Sequence, residues 1–345
     1  GIDLVAMCAN DLVVHGARPL FFLDYLGVAS VDVDVCVELV KGVQQACASV
    51  GCELVGGETA ELGRLYRPGT FDMVGFCGGV VEGEPLPKTA QMAAGDAVWA
   101  LPSSGVHSNG YSLLLTLLER EGVLPAEGDV EGDTGATGSA AAATPVDLAA
   151  DALDALGHEA LLEACLTPTK LYVQDVLAMR ACDIVAPHLL GVAHVTGGGV
   201  GENVRRVLPV GHHVQLHACA TQFSPLYQWI QRASGLLTGE MLATFNCGMG
   251  MVLVVRQGAP ATVGAKLEQS KRQAAFAGDV SLLPQSEIHC SRGGASGDLG
   301  GRAKVPIPSP PSKPPAVPGY KGYVSGRQHH YGRSFGTTLA DFEQV

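Results

Sequence analysis

Two glycine-bearing segments have the residue types of a phosphate-binding loop. Residues 103–110 follow an apolar strand pattern and precede a helical pattern at 111–120. Residues 196–199 follow a second strand pattern and precede a helix opening at 201–208. A strand, a small-residue loop and a helix start aim free backbone N–H groups and the positive end of a helix dipole at an anion. The pattern alone is equally consistent with loops that only turn the chain.

Acidic side chains near the start of the chain are candidates for a metal site, because oxygen ligands suit Mg²⁺. Asp11 ends an Asn-Asp pair on a predicted helix, and Glu58 follows two glycines that let a backbone approach a ligand closely. If that segment is helical, Glu58 and Glu61 share a face. The alternatives remain open: a solvated helix position for Asp11, and a helix-terminal acid for Glu58. Asp24, on an otherwise apolar strand, is a weaker candidate and needs a partner if it is buried.

The elements that must position these residues alternate between helical and strand patterns. This order favours an α/β fold in which helices cover one face of a sheet. Ser30 is predicted to cap the second helix, which stops at Gly51, and Thr167-Pro168 is predicted to start a later one. The predicted helices cover residues 2–15, 30–51, 111–120, 171–182, 201–208 and 240–245, and the predicted strands cover 19–26, 52–55, 71–81, 96–101, 191–195 and 249–255.

Composition divides the chain further. The turn-rich stretch 82–95 is typical of a linker, so we predict a partial N-terminal lobe at 1–88 and a larger α/β lobe at 95–292. An Ala-, Gly-, Thr- and Asp-rich stretch at about 121–151 indicates a disordered insertion, and the Gly- and Pro-rich residues 293–345 indicate a disordered tail.

Charge and cysteine usage exclude several classes of protein. A net charge of −12 argues against nucleic-acid binding, and no apolar run is long enough to predict a membrane helix. The ten cysteines have no paired metal-ligand spacing, which favours reduced, packed thiols in a cytoplasmic protein. Because the chain begins with Gly inside a helical pattern, we expect a fragment, whose upstream part could carry an organellar targeting peptide.

Seven sequence blocks resemble the aminoimidazole ribonucleotide synthetase family. The resemblance begins with Gly-Ile-Asp-Leu-Val-Ala-Met-Cys-Ala-Asn-Asp at the first residue and includes Gly-Gly-Glu-Thr-Ala-Glu at 56–61. It continues through Val-Gly-Phe-Cys-Gly-Gly-Val-Val at 74–81, Ser-Gly-Val-His-Ser-Asn-Gly-Tyr-Ser at 104–112 and Thr-Pro-Thr-Lys-Leu-Tyr at 167–172. The last two blocks are His-Val-Thr-Gly-Gly-Gly at 194–199 and Phe-Asn-Cys-Gly-Met-Gly-Met at 245–251. The blocks occur in family order over roughly residues 1–257. A triple glycine alone would be weak evidence, whereas seven ordered blocks are specific.

The resemblance implies a two-lobed α/β fold and a cyclo-ligase reaction. In that reaction, formylglycinamidine ribonucleotide and ATP give aminoimidazole ribonucleotide, ADP and phosphate, with Mg²⁺ bridging the nucleotide phosphates. ATP activates the formyl amide oxygen, and the amidine nitrogen then attacks that carbon to close the ring. The family also implies a homodimer formed through the N-terminal lobes.

The resemblance also implies roles for individual residues. It implies metal binding by Asp11 and Glu58, and catalytic hydrogen bonding or proton transfer by His194 and His107. The residues implied to bind ATP or the substrate phosphate are Asn10, Ser104, Gly105, Ser108, Asn109, Gly110, Thr196, Gly197, Gly198, Gly199 and Asn203. We expect Asn10 to be a hydrogen-bonding neighbour rather than a direct ligand.

Departures from the family leave two alternatives open. An Asp-Gly-Val-Gly-Thr-Lys segment that precedes the first block in the family is absent from this sequence, and the match fades after about residue 257. The chain could therefore be a truncated, non-catalytic binding or assembly partner. It could also be a related ATP-using enzyme, such as formylglycinamidine synthetase, selenophosphate synthetase or thiamine phosphate kinase. Those relatives lack the combination of the blocks at 56–61 and 104–112.

Overall fold

Two β-sheets with helices packed against them make up the part of the chain that the structure describes. The computed structural model describes residues 1–125, 157–216 and 223–269, together with the backbone of the strand at 275–282. This mixed α/β architecture is the fold class that the sequence predicts. All the described residues belong to one compact unit, Gly1–Gly293, whereas the second unit, Gly294–Val345, lies outside them.

The first sheet has three strands in the order β2-β1-β3. Strand β1 (Ala17–Val28) lies in the middle, parallel to β2 (Glu53–Glu61) and antiparallel to β3 (Phe71–Val81). Helices α1 (Ile2–Val13) and α2 (Val33–Val50) pack against the sheet. The parallel pair β1 and β2 is possible because α2 supplies the crossover between them.

Helix α1 has its apolar residues at helical spacing, and their burial fixes its orientation. Val5, Ala9 and Val13 are fully buried. Gly16, with φ +79°, follows the helix and turns the chain into β1. A Cβ at Gly16 would overlap the guanidinium group of Arg180, so a glycine is needed there for space as well as for conformation.

Helix α2 confirms the predicted stop but not the predicted start. Gly51 ends the helix in the left-handed conformation, with φ +72°. The N-cap is Asp32 rather than Ser30, since the Asp32 carboxylate accepts hydrogen bonds from the backbone N–H groups of Asp34 and Val35. Both residue types are good caps, so the sequence alone could not separate positions two residues apart.

The segment after α2 corrects a second expectation. Strand β2 continues through Glu61, six residues beyond the predicted strand end at Val55, because it pairs with β1 along its length. Glu58 and Glu61 therefore lie on a strand, where residues three apart point to opposite faces, and the conditional helical interpretation was wrong. Glu61 accepts a hydrogen bond from the Val31 backbone N–H instead.

The second sheet has five strands in the order β5-β7-β4-β8-β6. All seven residues of the interior strand β7 are buried, as expected for a strand covered on both faces. The strands are β4 (Ala97–Pro102), β5 (Leu189–His194), β6 (His212–Leu216), β7 (Met249–Val255) and β8 (Ala275–Leu282). The helices after β4 are α3 (Tyr111–Arg120), α4 (His158–Leu166), α5 (Val173–Arg180), α6 (Gly199–Arg205), α7 (Pro225–Ser234), α8 (Thr238–Thr244) and α9 (Ala261–Gln269).

The side chains of β7 alternate between two cores. Val252 and Val254 pack in a core with residues of α3, α6 and α7. Met251 and Leu253 belong to a second core, which also contains the buried residues of α1 and α2. Helix α1 therefore contributes to a core shared by the two sheets, and this packing brings its polar residues close to the ends of β4 and β5.

The stretch before α5 differs from its prediction. Thr167-Pro168 has the local signature of a helix start, but α5 begins only at Val173. Residues 167–172 form no helix or strand and are held by tertiary contacts: the Asn10 side chain donates to the Lys170 carbonyl and accepts from the Tyr172 N–H, both at 2.9 Å. Hydrogen bonds to a distant helix override the local signal here.

The remaining predictions on chain organisation concern the linker, the insertion and the tail. In the predicted linker, the Leu86 N–H donates to the His15 carbonyl and the Lys88 N–H to the Leu190 carbonyl. Residues 126–151 of the predicted insertion and the whole predicted tail, 293–345, lie outside the described residues. Within the described ranges, no helix combines the length and hydropathy that crossing a bilayer requires.

Candidate functional site

The loop at 103–110 connects β4 to α3 and has an unusual backbone. His107 and Ser108 both adopt positive φ angles, +54° and +56°, and Gly110 follows at +77°. Two adjacent non-glycine residues in this region are uncommon, and such conformations cluster at functional sites. A Cβ at Gly110 would overlap the Phe245 ring, so this position requires glycine.

His107 is the internal anchor of this loop. Its side chain is fully buried, and its Nε2 accepts from the Ser104 N–H at 3.0 Å and from the Lys170 N–H at 3.3 Å. Burial, together with the nearby His194, lowers the pKa of His107 to about 3. The imidazole is therefore neutral at physiological pH, and the network assigns its proton to Nδ1. Nδ1 has no hydrogen-bond partner among the described residues.

The buried side chains of Asn246 and Tyr227 hold the backbone of the loop at 103–110. The Asn246 Nδ2 donates to the Gly105 carbonyl at 2.9 Å, and the Tyr227 hydroxyl lies 2.7 Å from both that carbonyl and Asn246 Oδ1. Asn246 Oδ1 also accepts from the Gly248 N–H. Because both side chains are buried, losing either partner would leave polar atoms unsatisfied, and the network therefore fixes the Gly105 backbone.

The last turn of α1 presents two polar residues to the end of β5. Asp11 Oδ1 lies 2.8 Å from His194 Nδ1, and Asn10 Nδ2 lies 3.5 Å from His194 Nε2. The Asn10 amide thus faces one ring nitrogen as a donor, which leaves the other nitrogen to donate to the Asp11 carboxylate. His194 is 2% exposed in its side chain, whereas Asp11 is 67% exposed. The carboxylate is accessible, and the imidazole orients it.

The first turn of α1 reaches the same loop through Asp3. Its Oδ1 accepts from the Ser108 hydroxyl at 3.0 Å, the Thr169 N–H at 2.8 Å and the Thr169 hydroxyl at 2.6 Å. Helix α1 therefore holds both the loop at 103–110 and the segment at 167–172. Lys170, in that segment, places its ammonium group 3.9 Å from Asp175 Oδ2 and 5.1 Å from the centre of the Tyr172 ring.

The second glycine loop, residues 196–199, is organised by Asn203. This buried amide donates to the carbonyls of Thr196, Gly197 and Gly199 and accepts from the Thr196 hydroxyl. Gly198 and Gly199 have φ angles of +92° and +67°. A Cβ at Gly197 would lie 3.5 Å from Asn109 Oδ1, so the two glycine loops adjoin.

The structure thus brings together most of the residues that the sequence singles out. Some of their side chains support the loop backbones, and others are exposed to a ligand. The side chains of His107 and Asn203 are buried and bond to the loop backbones. Ser104 donates its hydroxyl to the Pro168 carbonyl at 2.7 Å, and Asn109 donates its amide to the His107 carbonyl at 2.5 Å. The groups that can face a ligand include the exposed Asp11 carboxylate, the exposed Ser108 side chain, the start of α3 and the backbone of the two loops.

Asp24 and Glu58 lie in the first sheet, away from these contacts. Asp24 pairs with Gly57 and Gly75, and burial raises the pKa of its carboxyl group. Glu58 is exposed and accepts from the Thr59 N–H at 2.9 Å. Within residues 1–125, 157–216 and 223–269, no hydrogen bond joins Glu58 to Asp11 or to either glycine loop. Those residues also contain no cluster of three or more acidic, His or Cys side chains arranged around a metal.

Several residues of this site carried no assigned role in the sequence. Asp3 is the clearest case, because its partner Thr169 lies 166 positions away and no local pattern connects them. Tyr227 has no sequence signal, whereas Asp3, Asn246 and Lys170 lie inside blocks that resemble the family. Those blocks could have directed attention to them, but only the fold reveals what they contact.

Comparisons with known proteins agree with this architecture. The E. coli hydrogenase maturation protein HypE has 17% sequence identity over 82% of this chain and 74% of its own, with a TM-score of 0.55. Thiamine monophosphate kinase from Aquifex aeolicus has 16% identity over 82% and 79%, with a TM-score of 0.51. HypE in complex with ATP has 17% identity over 81% and 70%, with a TM-score of 0.53. At these identities the likeness concerns the fold.

Comparison with models of sequence families identifies the family of the chain. Residues 1–81 match the N-terminal domain described as AIR synthase related protein, and residues 93–291 match the C-terminal domain of the same description. Together these matches cover most of the 345 residues. The chain belongs to the AIR synthase related protein family.

Proposed function

We propose that this chain closes the imidazole ring of aminoimidazole ribonucleotide, using ATP and formylglycinamidine ribonucleotide and releasing ADP and phosphate in purine biosynthesis. The observation that carries the proposal is the convergence of α1, the loop at 103–110 and the end of β5, joined through Asp3, Asn10 and Asp11. The combination of sequence blocks at 56–61 and 104–112 favours this cyclo-ligase over the related kinases.

The two adjoining loops provide a place for nucleotide phosphates. Glycines at 197, 198 and 199 leave no side chain between the backbone and a ligand, and Asn203 holds their carbonyls inward. Helix α3 starts directly after the first loop, so its positive end lies beside the second. Lys170 adds a cation next to the first loop. A triphosphate would be held mainly by backbone groups and this dipole.

The residues present fit one magnesium ion on the phosphates. Mg²⁺ usually takes one or two protein carboxylates and completes its octahedral shell with phosphate oxygens and water. Asp11 supplies an exposed carboxylate whose Oδ1 is already held by His194. We therefore assign Asp11 to the metal and His194 to orienting it, as outer groups commonly orient metal ligands. Metal binding by Glu58 remains a prediction from the sequence alone.

In the proposed reaction, ATP phosphorylates the formyl amide oxygen, and that oxygen leaves as phosphate after the amidine nitrogen attacks the carbon. The protein has to hold the amide oxygen in line with the terminal phosphorus and exclude water. His107 is neutral and bonded to the loop, so its role is to fix the loop backbone rather than to transfer a proton. The rigid support by Asn246 and Tyr227 serves the same purpose.

The exposed face of the first sheet supports a homodimer. The helices cover one face, and the opposite face carries the apolar residues Leu23, Val74 and Phe76, which are 38%, 54% and 60% exposed. Leu23 and Phe76 pair across β1 and β3, and the rings of Phe21 and Phe76 lie 6.1 Å apart. A contiguous apolar patch of this kind marks an interaction surface. We assign it to a second copy of the chain.

A related ATP-using activity is the second candidate. The fold is shared with thiamine monophosphate kinase and with HypE, which has been solved with ATP, and both relatives support nucleotide binding without specifying the acceptor. A non-catalytic binding or assembly role is the third. All three candidates predict a folded chain, so the assignment depends on turnover.

The decisive experiment measures ADP release by the full-length protein with Mg²⁺ and ATP, with and without formylglycinamidine ribonucleotide. The cyclo-ligase assignment expects substrate-dependent ADP release and a new aminoimidazole product. Equal rates with and without the substrate would remove it. ADP release that responds to thiamine monophosphate instead would favour the kinase, and tight ATP binding without any turnover would favour the non-catalytic role.

A further inference from the structure

One carboxylate oxygen accepts hydrogen bonds from two hydroxyl groups at the edge of the first glycine loop. Asp3 Oδ1 accepts from Ser108 Oγ at 3.0 Å and from Thr169 Oγ1 at 2.6 Å. An ionised carboxylate accepts hydrogen bonds and donates none, so the direction of both bonds is settled. The Thr169 N–H donates to the same oxygen, which holds the carboxylate in place.

The consequence concerns what Ser108 can offer to a ligand. A hydroxyl group has one hydrogen and two lone pairs. The hydrogen of Ser108 is donated to Asp3, and Thr169 Oγ1, which lies 3.3 Å from Ser108 Oγ, donates its own hydrogen to Asp3 as well. Only lone pairs of Ser108 therefore remain for a ligand. Thr169 is 2% exposed and cannot be reached, whereas Ser108 is exposed. Ser108 therefore presents an acceptor, although its position in a phosphate-type loop suggests a donor.

The backbone supports this assignment independently. Ser108 has φ +56° and follows His107 at +54°, a conformation that costs free energy for residues other than glycine. The His107 ring is bonded to the Ser104 and Lys170 N–H groups, and the Ser108 side chain is bonded to Asp3. These contacts keep the strained turn in one conformation, with Ser108 at its surface.

We propose that Ser108 selects the nucleotide substrate by accepting a hydrogen bond from one of its donor groups, and that Asp3 is the positioning residue that keeps Ser108 an acceptor. The inference rests on the proposed function. The ligand group is a hydroxyl or an N–H, and formylglycinamidine ribonucleotide carries both, on its ribose and on its amide and amidine. A phosphate oxygen, which is itself an acceptor, does not fit this position.

The two roles of Ser108 predict opposite effects of Asp3→Ala. That change releases the Ser108 hydrogen and removes a negative charge. If Ser108 donated to a phosphate, the variant would bind the phosphate-bearing ligands more tightly. If Ser108 is an acceptor, the released hydroxyl no longer presents a fixed lone pair, and the KM for formylglycinamidine ribonucleotide rises.

The experiment is a double-mutant cycle on the full-length protein, with KM measured separately for ATP and for formylglycinamidine ribonucleotide. Ser108→Ala and Asp3→Ala are each expected to raise the KM for the ribonucleotide about 3- to 10-fold, the loss of one hydrogen bond, and to change the KM for ATP less than about twofold. Adding Asp3→Ala to Ser108→Ala should have little further effect, because Asp3 acts through Ser108. Thr116→Ala, which removes an exposed hydroxyl on α3, is the matched control.

Each outcome decides the proposal. Additive effects in the cycle, or a lower KM in Asp3→Ala, would overturn it. An active wild type whose Ser108→Ala variant keeps both KM values would overturn it while leaving the proposed function intact. A wild type that does not respond to the ribonucleotide would remove both. If Asp3→Ala does not fold, Asp3→Asn takes its place with a different expectation. Its amide oxygen can still accept from Ser108, so the KM for the ribonucleotide should stay within about twofold of the wild type, and a rise as large as that in Ser108→Ala would overturn the positioning role.

Discussion

Asp11 and His194 lie 183 positions apart in sequence, yet Asp11 Oδ1 and His194 Nδ1 are 2.8 Å apart. The contact joins the last turn of α1 to the end of β5, and Asn10 completes it from the opposite side of the ring. The carboxylate is exposed and the imidazole is buried. The pair is therefore built to hold an accessible carboxylate in one orientation, which suits a ligand for a cation.

Asp11→Asn tests this orientation. The amide can still accept from His194, so the fold should persist, but the charge that attracts Mg²⁺ is lost. We expect magnesium-dependent ATP affinity to fall about 10- to 100-fold, as measured by calorimetric titration with and without Mg²⁺. Asp34→Asn, at an exposed position on α2, is the control. Unchanged affinity in Asp11→Asn would reject the metal role.

Two glycines near the start of α6 should respond in opposite ways to substitution by alanine. Gly199 has φ +67°, and a Cβ there would overlap the Leu242 carbonyl oxygen, whereas Gly201, two residues later in α6, has open space around it. We expect Gly199→Ala to lower the free energy of unfolding by roughly 1–3 kcal/mol. Gly201→Ala should raise it by about 0.5–1 kcal/mol, since alanine restricts the unfolded chain. Urea denaturation measures both, and equal effects would contradict this account.

The sequence predicted which helices and strands form better than it predicted where each one begins. Apolar residues at helical spacing located α1 and α3, which bury one face each, and a continuous apolar run located the fully buried β7. The sequence pattern missed the delayed start of α5 at Val173, where Asn10 bonds to the preceding segment and overrides the Pro168 signal. Local rules cannot account for contacts between residues about 160 positions apart.

The same limit applies to the site. The types and spacing of residues identified both glycine loops, but not the direction in which each side chain points. Asn203 and His107 were expected to touch a ligand, and their side chains bond to the loops instead. Asp3, which bonds to Ser108, lies in the first family-like block, but the sequence does not indicate this contact. Residue identity indicates the available chemistry, and only the fold decides which hydrogen faces which partner.

The exposed sheet face predicts a dimer that one charge should disrupt. Phe76 is 60% exposed at the centre of the apolar patch. In Phe76→Glu, dimerisation would bury a carboxylate without a partner, which is costly. We expect analytical ultracentrifugation to show a dimer for the wild type and a monomer for the variant at micromolar concentration. Leu237→Glu, on a residue 72% exposed outside this sheet, should leave the dimer intact. A monomeric wild type would refute the assignment of this face.

His107 predicts a specific acid sensitivity. Burial lowers its pKa to about 3 in the folded chain, against an ordinary value of 6.5. Between these two values the unfolded chain binds a proton that the folded chain does not, so stability falls as pH decreases below about 6.5 and is fully present above it. The largest slope a single group can give is about 1.4 kcal/mol per pH unit.

His107→Gln isolates this contribution. Glutamine can place its carbonyl oxygen where Nε2 accepts the Ser104 N–H, and it does not titrate. We expect the wild type to lose on the order of 1 kcal/mol more per pH unit than the variant between pH 6 and pH 4, as measured by urea denaturation at each pH. The difference between the two pH profiles removes the contribution of the carboxylates that both proteins contain. Parallel pH profiles would mean that His107 becomes protonated without unfolding the chain. The neutral His107 ring assigned to holding the first glycine loop would then be wrong.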